Sequence, residues 1–302
     1  MSGLRVSDDV APDGDLDAIS ATAQAYYDSD EAFNFYSQVW GGEHIHVGLY
    51  DDLDQGPNKG LEGVTRILAA SLLNTERLFE KAGGLLKSGT KCMDMGSAYG
   101  GTARYCAKTF GCQVTCIDIS VKENAVNRAK NEEQGLSHLV LIPGDKSFLA
   151  TGEPDASHEV VVSQDSLLHA GSERRAAVGE AARVLKPGGL LIFTDIMQAD
   201  DADPSTLAAV YRRIHLENMG SPGAYKQWAA DHGLELVSFE DRTGCLTLHY
   251  GSVREVLLAK KGTLNGVSDA FVDNMVSGLD AWVEAAGKKS LRWGYMVFRK
   301  QV

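Results

Sequence analysis

The 302-residue sequence contains no apolar run near the roughly 20 residues that a membrane-spanning helix requires. It also lacks the apolar segment that a secretory signal would place near the N-terminus. Basic residues are in deficit, with 29 Lys and Arg against 41 Asp and Glu and a formal net charge of −12. Nucleic acids and anionic membranes bind to basic faces. We therefore expect a cytoplasmic protein with neither a nucleic-acid nor a membrane partner.

Cysteine is also scarce, and its spacing does not suggest a zinc site. The five cysteines are an odd number without a CxxC pair. Four of them lie between residues 92 and 116, in a stretch with the pattern of a nucleotide-binding core. Small buried thiols are ordinary in such cores. We therefore predict a reducing compartment and no metal.

The most informative stretch is KCMDMGSAYGG, residues 91–101. A short apolar run ends in Asp94, a glycine-rich turn follows, and a helix-compatible segment begins at Thr102. A strand, a tight turn and a helix N-terminus together form a surface for a nucleotide-like cofactor. Glycine is needed there because a Cβ would block the ligand or forbid a positive φ. The spacing Gly96-x-Ala98-x-x-Gly101 also satisfies a loose dinucleotide pattern, so the turn alone leaves NAD(P) open.

Strand and helix patterns alternate from Lys91 onward. The predicted strands after the first are 113–119, 138–143, 158–164, 190–194, 234–239 and 291–299. Parallel strands joined by helices form right-handed crossovers and a sheet that is covered on both faces. We therefore predict an α/β fold, a Rossmann-like and mostly parallel seven-stranded sheet with helices on both faces and a helical cap.

Composition divides the chain into a tail and one large domain. Residues 1–18 are rich in Asp, Gly, Ser and Pro and are predicted to be a disordered tail. Within 19–302, we predict a helical N-terminal lid at 19–60, a cofactor-binding core at 61–198, and cap helices at about 199–232 and 251–287. Helices inserted after strands five and six lie at the carboxyl edge of the sheet, where they can cap a ligand crevice.

Four features taken together resemble class I S-adenosylmethionine-dependent methyltransferases over residues 88–195. They are Asp94 before the turn, Asp118 at the end of strand two, Gly144-Asp145 after strand three, and the sequence LKPGG before strand five. The resemblance implies that Asp94 and Gly96 contact the methionine part of the cofactor. Asp118 would bind the ribose hydroxyls, although an acid at that position can instead cap a helix.

The full set of cofactor-binding residues implied by the resemblance includes both ends of the cofactor. Ile119 would lie against the adenine, and Asp145 would accept a hydrogen bond from its amino group. His46 lies in a loop that touches the methionine end in related enzymes. The predicted S-adenosylmethionine-binding residues are Asp94, Gly96, Ser97, Asp118, Ile119, Asp145, Gln164 and His46.

Four further segments are similar to the sarcosine/dimethylglycine N-methyltransferases of glycine betaine synthesis. They are the string from Tyr26 to Tyr50, SQDSLLH at 163–169, NMGS at 218–221 and RWGYMVFRK at 292–300. The layout is also similar to that of phosphoethanolamine N-methyltransferases. That resemblance implies a catalytic dyad of Tyr27 and His169 over the amine, with Asp165 contacting the substrate and Tyr26 as the near alternative to Tyr27.

The expected chemistry explains these residue types. Methyl transfer from a sulfonium requires an unprotonated amine in line with the methyl carbon and the exclusion of water. A histidine is a suitable acceptor for the amine proton. A quaternary ammonium product favours aromatic faces, and a substrate carboxylate favours an arginine fork. The predicted aromatic wall is Tyr27, Trp40, Tyr50, Trp293 and Tyr295.

Three arginines are candidates for the carboxylate. Arg213 and Arg242 match arginines of the resembling family, and Arg292 is a third possibility. The substrate-binding prediction therefore comprises Trp40, Arg213, Arg242 and Tyr26. His44 and His249 are interpreted as surface or packed residues, and Trp282 as core.

The predicted function is methylation of sarcosine and N,N-dimethylglycine to glycine betaine. One departure is Leu248-His249, where betaine-pathway relatives tend to have two adjacent histidines. The alternatives are S-methylation of methylthiohydroxybutyrate, in which His169 would only position the substrate, and N-methylation of phosphoethanolamine. An NAD(P)-binding oxidoreductase is the alternative from another class. The oligomeric state stays open, a homodimer included.

Overall fold

The computed structural model describes residues 21, 24–40, 42–51, 53, 56–213 and 216–302. The predicted disordered tail lies outside these residues. The strands are β1 Lys91–Met95, β2 Gln113–Ile117, β3 Val140–Leu141, β4 His158–Gln164, β5 Leu185–Gln198, β6 Leu234–Asp241 and β7 Leu291–Lys300. The α-helices are α1 Asp30–Phe35, α2 Gly63–Glu80, α3 Gly101–Phe110, α4 Val121–Glu133, α5 Arg174–Val184, α6 Ala208–Arg213, α7 Pro222–Asp231, α8 Thr243–Ala259 and α9 Asp269–Gly287.

The strands form one sheet in the order β3-β2-β1-β4-β5-β7-β6. The first five strands of the chain pair in parallel, and β7 runs antiparallel to both β5 and β6. This confirms the predicted mostly parallel seven-stranded sheet. Chain order reverses between β1 and β4, which places a ligand crevice at the carboxyl ends of these two strands.

Alternating side chains of the strands contribute to two hydrophobic cores, one on each face of the sheet. Val114, Val160 and Ile192 belong to the core that packs against the N-terminal segment, α2, α8 and α9. Met93 and Val161 belong to the core on the opposite face, under α5 and α7. Burial on both faces explains why the strands read as apolar runs without clear alternation.

Several boundaries differ from the sequence prediction. β5 begins at Leu185 and includes the predicted turn 186–189, because His158 pairs with Leu185 and Val160 with Leu190 around a local bulge. β3 contains only two residues of the predicted 138–143, since it is an edge strand that pairs only with β2. The second cap region is two helices, and the first of them begins at Thr243 rather than at residue 251.

The N-terminal segment is held over the carboxyl edge of the sheet. Asp28 accepts hydrogen bonds from Ser120 Oγ at 2.6 Å and from the Lys122 backbone N–H at 3.2 Å. Farther along, the Val47 N–H donates to Asp165 Oδ2 at 2.7 Å. These contacts hold the N-terminal segment across the opening of the crevice. No helix in the described part of the chain is long and apolar enough to cross a membrane.

Candidate active site

The glycine turn follows β1 directly, and its geometry requires glycine. Gly96 has φ +77°, and a Cβ there would lie 2.3 Å from the Ser166 Cβ. The Ala98 N–H donates to Asp118 Oδ2 at 2.8 Å, so the carboxylate at the end of β2 fixes the turn. A Cβ on Gly101, the first residue of α3, would lie 2.5 Å from the Glu43 carbonyl oxygen. Only a glycine fits at either place.

A cavity of about 730 Å³ lies against this turn. The charged residues in its lining are all acidic: Glu43, Asp94, Asp118, Glu123 and Asp165. Burial raises the pKa of Asp94 to about 7 and that of Asp165 to about 6. A raised pKa shows that, in the described structure, no nearby positive charge offsets the burial of these carboxyl groups. A cationic ligand would stabilise their ionised forms, whereas a pyrophosphate would not. The lining therefore argues against the NAD(P) alternative.

The polar atoms of this cavity fit the amino-acid end of S-adenosylmethionine. Asp94 Oδ2, Ser97 Oγ and Gln164 Nε2 are buried and have no hydrogen-bond partner among the residues that the structure describes. Thr102 donates to Gln164 Oε1 at 2.7 Å, which leaves the amide nitrogen of Gln164 as the free donor. A carboxylate acceptor and an amide donor together match an ammonium and a carboxylate, because unpaired buried polar atoms are costly.

Most of the predicted cofactor residues line this cavity. Those in the lining are Asp94, Gly96, Ser97, Asp118, Ile119, Gln164 and His46. Asp118 also accepts the N–H of Ser120, the N-cap residue of α4, at 2.9 Å, so it supports the start of that helix as well as facing the cavity. Glu123, on the first turn of α4, is a lining residue that the sequence prediction missed. In the sequence, an acid three residues after Ser120 indicates a capping box at the helix start. That pattern gives no sign that Glu123 also lines a cavity.

Asp145 does not lie in the cavity lining, contrary to the prediction that it contacts the adenine. Its Oδ1 accepts from Asn124 Nδ2 at 2.9 Å and lies 3.8 Å from an Arg128 nitrogen. The strand before it is short, and the loop after it brings Phe148 to the cavity instead. The side chain of Asp145 is therefore committed to α4.

A second cavity of about 370 Å³ adjoins the first. The residues that line both cavities are Tyr27, Ile45, His46, Asp165 and His169. We call these five residues the shared wall. Any group that passes from the first cavity to the second moves between these side chains.

Tyr27 and His169 form a hydrogen-bonded pair in the shared wall. Tyr27 Oη lies 3.0 Å from His169 Nε2, and the rings meet edge to face. Burial lowers the pKa of His169 to about 4, with Arg174 and Arg213 acting in the same direction. Burial also raises the pKa of Tyr27 well above its usual value. Both groups are therefore neutral near pH 7, and the imidazole is free to accept a proton.

Tyr26, the alternative to Tyr27, lies outside both cavity linings. Its ring packs edge to face on Tyr27, and its hydroxyl lies 3.4 Å from that of Tyr36. The predicted substrate contact of Tyr26 is therefore not seen, because the helical turn at 24–27 directs Tyr27 rather than Tyr26 inward.

Asp165 ties three parts of the chain together. Its Oδ2 accepts the Val47 N–H at 2.7 Å, and its Oδ1 accepts Trp293 Nε1–H at 2.8 Å. The residue has φ +55°, a strained conformation for a non-glycine residue that is typical of functional sites. Its negative charge thus faces both cavities at a fixed position.

His46 is a wall residue rather than a titrating group. Its Nδ1 lies 3.1 Å from the Val47 carbonyl oxygen, and its Nε2 lies 3.2 Å from Thr75 Oγ1. Burial lowers its pKa to about 3. The ring is therefore neutral, and both of its nitrogens are occupied.

The second cavity is aromatic and contains one cation. Its aromatic lining residues are Tyr27, Tyr36, Trp40, Tyr250 and Trp282. The Arg213 guanidinium carbon lies 5.1 Å from the Tyr250 ring centre and 4.9 Å from that of Trp282. Within the described residues, Arg213 Nε is buried without a hydrogen-bond partner, and Nη2 donates to Met275 Sδ at 3.5 Å rather than to a carboxylate. The cavity therefore offers an anion-binding group inside an aromatic wall.

The other two arginine candidates do not reach the cavity. Arg242 is held by Glu240 and by Asp51, whose Oδ2 accepts from its Nη1 at 2.6 Å. Arg292 donates to the carbonyl oxygens of Lys289 and Leu291. The prediction that Arg242 binds the substrate is thus not supported, because the carboxylates beside it already satisfy its charge.

The aromatic wall also differs from the prediction. Tyr50, Trp293 and Tyr295 are absent from both linings, and Trp293 acts on the site only through Asp165. Tyr36, Tyr250 and Trp282 line the cavity in their place. All three lie on helical segments. In the sequence, apolar and aromatic residues at helical spacing indicate core packing, so this pattern does not distinguish a cavity lining from the core.

Both loosely assigned histidines prove to be packed. His44 and His249 are buried, and His249 Nδ1 accepts the Gly48 N–H at 3.1 Å.

A thiol cluster lies elsewhere. Among the described residues, Cys92, Cys106 and Cys112 are buried with their sulfur atoms within 4.8 Å of one another. Cys92 is near the start of β1, at the opposite end of that strand from the glycine turn.

Comparison with known proteins adds independent evidence. Residues 93–193 match the profile of a family described as a methyltransferase domain. The sarcosine/dimethylglycine N-methyltransferase of Halorhodospira halochloris is 42% identical over 92% of this chain and 96% of that protein. The enzyme of the same name from Aphanothece halophytica is 40% identical over 94% of this chain and 98% of its own. A Galdieria sulphuraria structure, described as a candidate sarcosine dimethylglycine methyltransferase, superposes with a TM-score of 0.79 and 36% identity, covering 88% of this chain and 97% of that one.

Proposed function

The chain belongs to the sarcosine/dimethylglycine N-methyltransferase family, and we propose that it methylates the nitrogen of sarcosine and N,N-dimethylglycine to yield glycine betaine. It is an S-adenosylmethionine-dependent methyltransferase. One observation carries the substrate proposal: an acid-lined cavity adjoins an aromatic cavity with one arginine, across the five residues of the shared wall.

The first cavity is proposed to bind S-adenosylmethionine, which supplies an electrophilic methyl group on a sulfonium. Asp94 Oδ2 would accept from the ammonium of the methionine end, and Gln164 Nε2 would donate to its carboxylate. Asp118 and Ile119 would hold the ribose and adenine. The five acids of the lining favour a ligand that carries positive charge.

The second cavity is proposed to bind the acceptor by its two charged ends. Arg213 would pair with the carboxylate, since its buried Nε has no other partner in the described structure. Asp165 and the aromatic faces would surround the amine, where a growing positive charge is stabilised by cation–π contacts. Held at both ends, the nitrogen would point through the shared wall toward the methyl group.

The Tyr27–His169 pair is proposed to remove the amine proton. The proton would pass from the acceptor nitrogen to Tyr27 Oη while Tyr27 gives its own proton to His169 Nε2, 3.0 Å away. The amine then has a free lone pair, and Tyr27 ends the step neutral. An imidazole with a lowered pKa starts unprotonated, as this role requires.

The same features weigh against the two other acceptor classes. A phosphoethanolamine phosphate carries up to two negative charges, yet Arg213 is the one Lys or Arg in the described lining of the second cavity. A thioether needs no proton acceptor, so it leaves the buried dyad without a role. The net charge of −12 supports a small-molecule partner over nucleic acid, and a cytoplasmic location remains part of the proposal.

A labelled-methyl assay tests the proposal. Purified protein and S-adenosylmethionine are incubated with glycine, sarcosine, dimethylglycine, phosphoethanolamine or methylthiohydroxybutyrate, and the labelled product is separated and identified. We expect transfer to sarcosine and dimethylglycine with betaine as the final product. Transfer to the thioether or to phosphoethanolamine alone would overturn the proposal.

A further inference from the structure

The backbone that carries His169 is irregular and needs support from outside. His169 lies in the short helical segment Leu167–Glu173, which follows the strained Asp165 and contains Gly171 with φ 58° and ψ −125°. Only a few backbone hydrogen bonds hold such a segment. The position of the imidazole therefore depends on what grips the neighbouring residues.

Two buried ionisable side chains form hydrogen bonds with the backbone of Leu168, the residue directly before His169. Asp195 Oδ1 accepts the Leu168 N–H at 3.2 Å, and Arg174 Nε donates to the Leu168 carbonyl oxygen at 3.2 Å. Asp195 is 0% exposed and Arg174 is 2% exposed. A carboxyl group thus holds the donor of Leu168 while a guanidinium group holds its acceptor. Neither side chain lines the first or the second cavity.

Each of these charges is fixed in turn by the second half of the chain. Arg174 Nη1 donates to Asn218 Oδ1 at 2.7 Å, and its Nη2 donates to the Asn218 carbonyl oxygen at 2.6 Å. The Tyr225 hydroxyl donates to Asp195 Oδ2. A Cβ on Gly220 would lie 2.7 Å from the Tyr225 ring, so the chain passes tightly between these groups. The segment NMGS therefore has a physical role in this network.

Burying these two side chains would cost much free energy if their only role were structural. Burying an arginine and an aspartate carries a large desolvation penalty. In the described structure the hydrogen bonds of these two side chains go to Leu168, Asn218 and Tyr225 rather than to each other. Arg174 is also the first residue of α5, where the helix dipole disfavours a positive charge. Hydrophobic packing would stabilise the loop at lower cost. The charges therefore point to a requirement at His169.

The charges that surround His169 act on its protonation as well as its place. The titratable groups that line the second cavity with His169 in the described structure are Tyr27, Tyr36, His46, Asp165, Arg213 and Tyr250. Arg174 and Asp195 lie behind it, on the backbone of Leu168. The two arginines disfavour a charged imidazole, and Arg174 has the larger effect of the two. Burial of the ring has the largest effect and lowers the pKa in the same direction.

We propose that Arg174 and Asp195 are positioning residues that clamp the backbone beside His169 and so fix the imidazole in the shared wall. The clamp rests on the proposed function in one respect, since it gives His169 the role of proton acceptor. It extends that function to residues that touch neither cofactor nor acceptor.

Three variants separate the position from the charge. Arg174→Gln removes both the charge and the fork, whereas Arg174→Lys keeps the charge but loses the fork. Arg175→Gln is the matched control, because Arg175 is the next residue of α5, is exposed, and pairs with Asp231 at 3.1 Å. For each variant, kcat and KM are measured with dimethylglycine, S-adenosylmethionine affinity by calorimetry, and folding by thermal unfolding.

The imidazole is followed directly by NMR of protein labelled at histidine, with the His169 signal assigned by its loss in His169→Gln. For Arg174→Gln we expect a fall in kcat of about 100-fold, as a displaced catalytic group can cause. Cofactor affinity should stay unchanged, and the His169 pKa should move upward. Arg174→Lys should lose rate while the His169 pKa stays low, and Arg175→Gln should match the wild type throughout.

Two results would overturn the clamp. One is a folded Arg174→Gln protein with wild-type kcat and an unmoved His169 titration; the other is an equal loss in Arg175→Gln. Should Arg174→Gln fail to fold, Tyr225→Phe removes one hydrogen bond to Asp195, and a wild-type kcat in that variant and in Arg174→Lys would reject the clamp. The NMR titration needs no acceptor, so it tests the clamp even if neither betaine precursor is methylated, which would reject the proposed function instead.

Discussion

Replacing Arg213 with glutamine removes the one Lys or Arg from the described lining of the acceptor cavity. Glutamine keeps hydrogen-bonding capacity but loses the charge and the fork, so a bound carboxylate would lie against Tyr250 and Trp282 without a counter-ion. Removing one partner of a buried, hydrogen-bonded charge pair costs about 2–5 kcal/mol. We therefore expect a loss near the middle of this range.

A loss of about 3 kcal/mol corresponds to roughly a 150-fold fall in kcat/KM, at about 1.4 kcal/mol for each factor of ten. Initial rates with labelled S-adenosylmethionine and dimethylglycine measure it, and calorimetry should show an unchanged cofactor affinity. Arg212→Gln is the matched control, because Arg212 precedes Arg213 on α6 and is exposed. N,N-Dimethylethanolamine, which lacks the carboxylate, should be methylated at similar low rates by wild type and Arg213→Gln. A wild-type kcat/KM for dimethylglycine in Arg213→Gln would refute the assignment of the carboxylate to this arginine.

Three further predictions follow from the site. His169→Gln should lower kcat by about 10²- to 10⁴-fold while S-adenosylmethionine affinity is unchanged; single-turnover rates and calorimetry measure both, and equal turnover would remove His169 from the mechanism. Because burial raises the pKa of Asp94 to about 7 and a ligand ammonium pairs with the ionised carboxylate, cofactor affinity should rise from pH 6 to pH 8. Asp94→Asn should abolish that rise, and wild-type affinity that is flat with pH would contradict the pairing. Gly96→Ala should lower the thermal unfolding midpoint and weaken cofactor binding, since its Cβ would meet Ser166 at 2.3 Å; an unchanged midpoint and affinity would show that the turn tolerates a side chain.

The sheet could be predicted from the sequence because its strands are buried on both faces. The apolar run HEVVVSQ matches β4 from His158 to Gln164. The start of β5 could not be predicted in the same way. Lys186-Pro187-Gly188-Gly189 has the composition of a turn, yet a bulge keeps these residues within the strand opposite His158.

The cofactor half of the site was more accessible to sequence reasoning than the acceptor half. Asp94 lies near the carboxyl end of β1 and Asp118 directly follows β2. The carboxyl ends of parallel strands meet at one edge of the sheet. Tyr250 and Trp282 reach the acceptor cavity from α8 and α9, whose packing is tertiary and leaves no local pattern beyond helical spacing. Arg242 was predicted to bind the substrate, but in the folded chain it pairs with Glu240 and Asp51. Asp51 is distant in the sequence, so that pairing could not be predicted.

The central claim is that donor and acceptor meet across the shared wall. A crystal structure of the protein with S-adenosylhomocysteine and dimethylglycine tests it most directly. We predict the sulfur in the cavity beside Asp94, the acceptor nitrogen facing it between Tyr27 and His169, and the carboxylate on Arg213. Dimethylglycine bound outside the second cavity, or with its carboxylate turned away from Arg213, would contradict the claim.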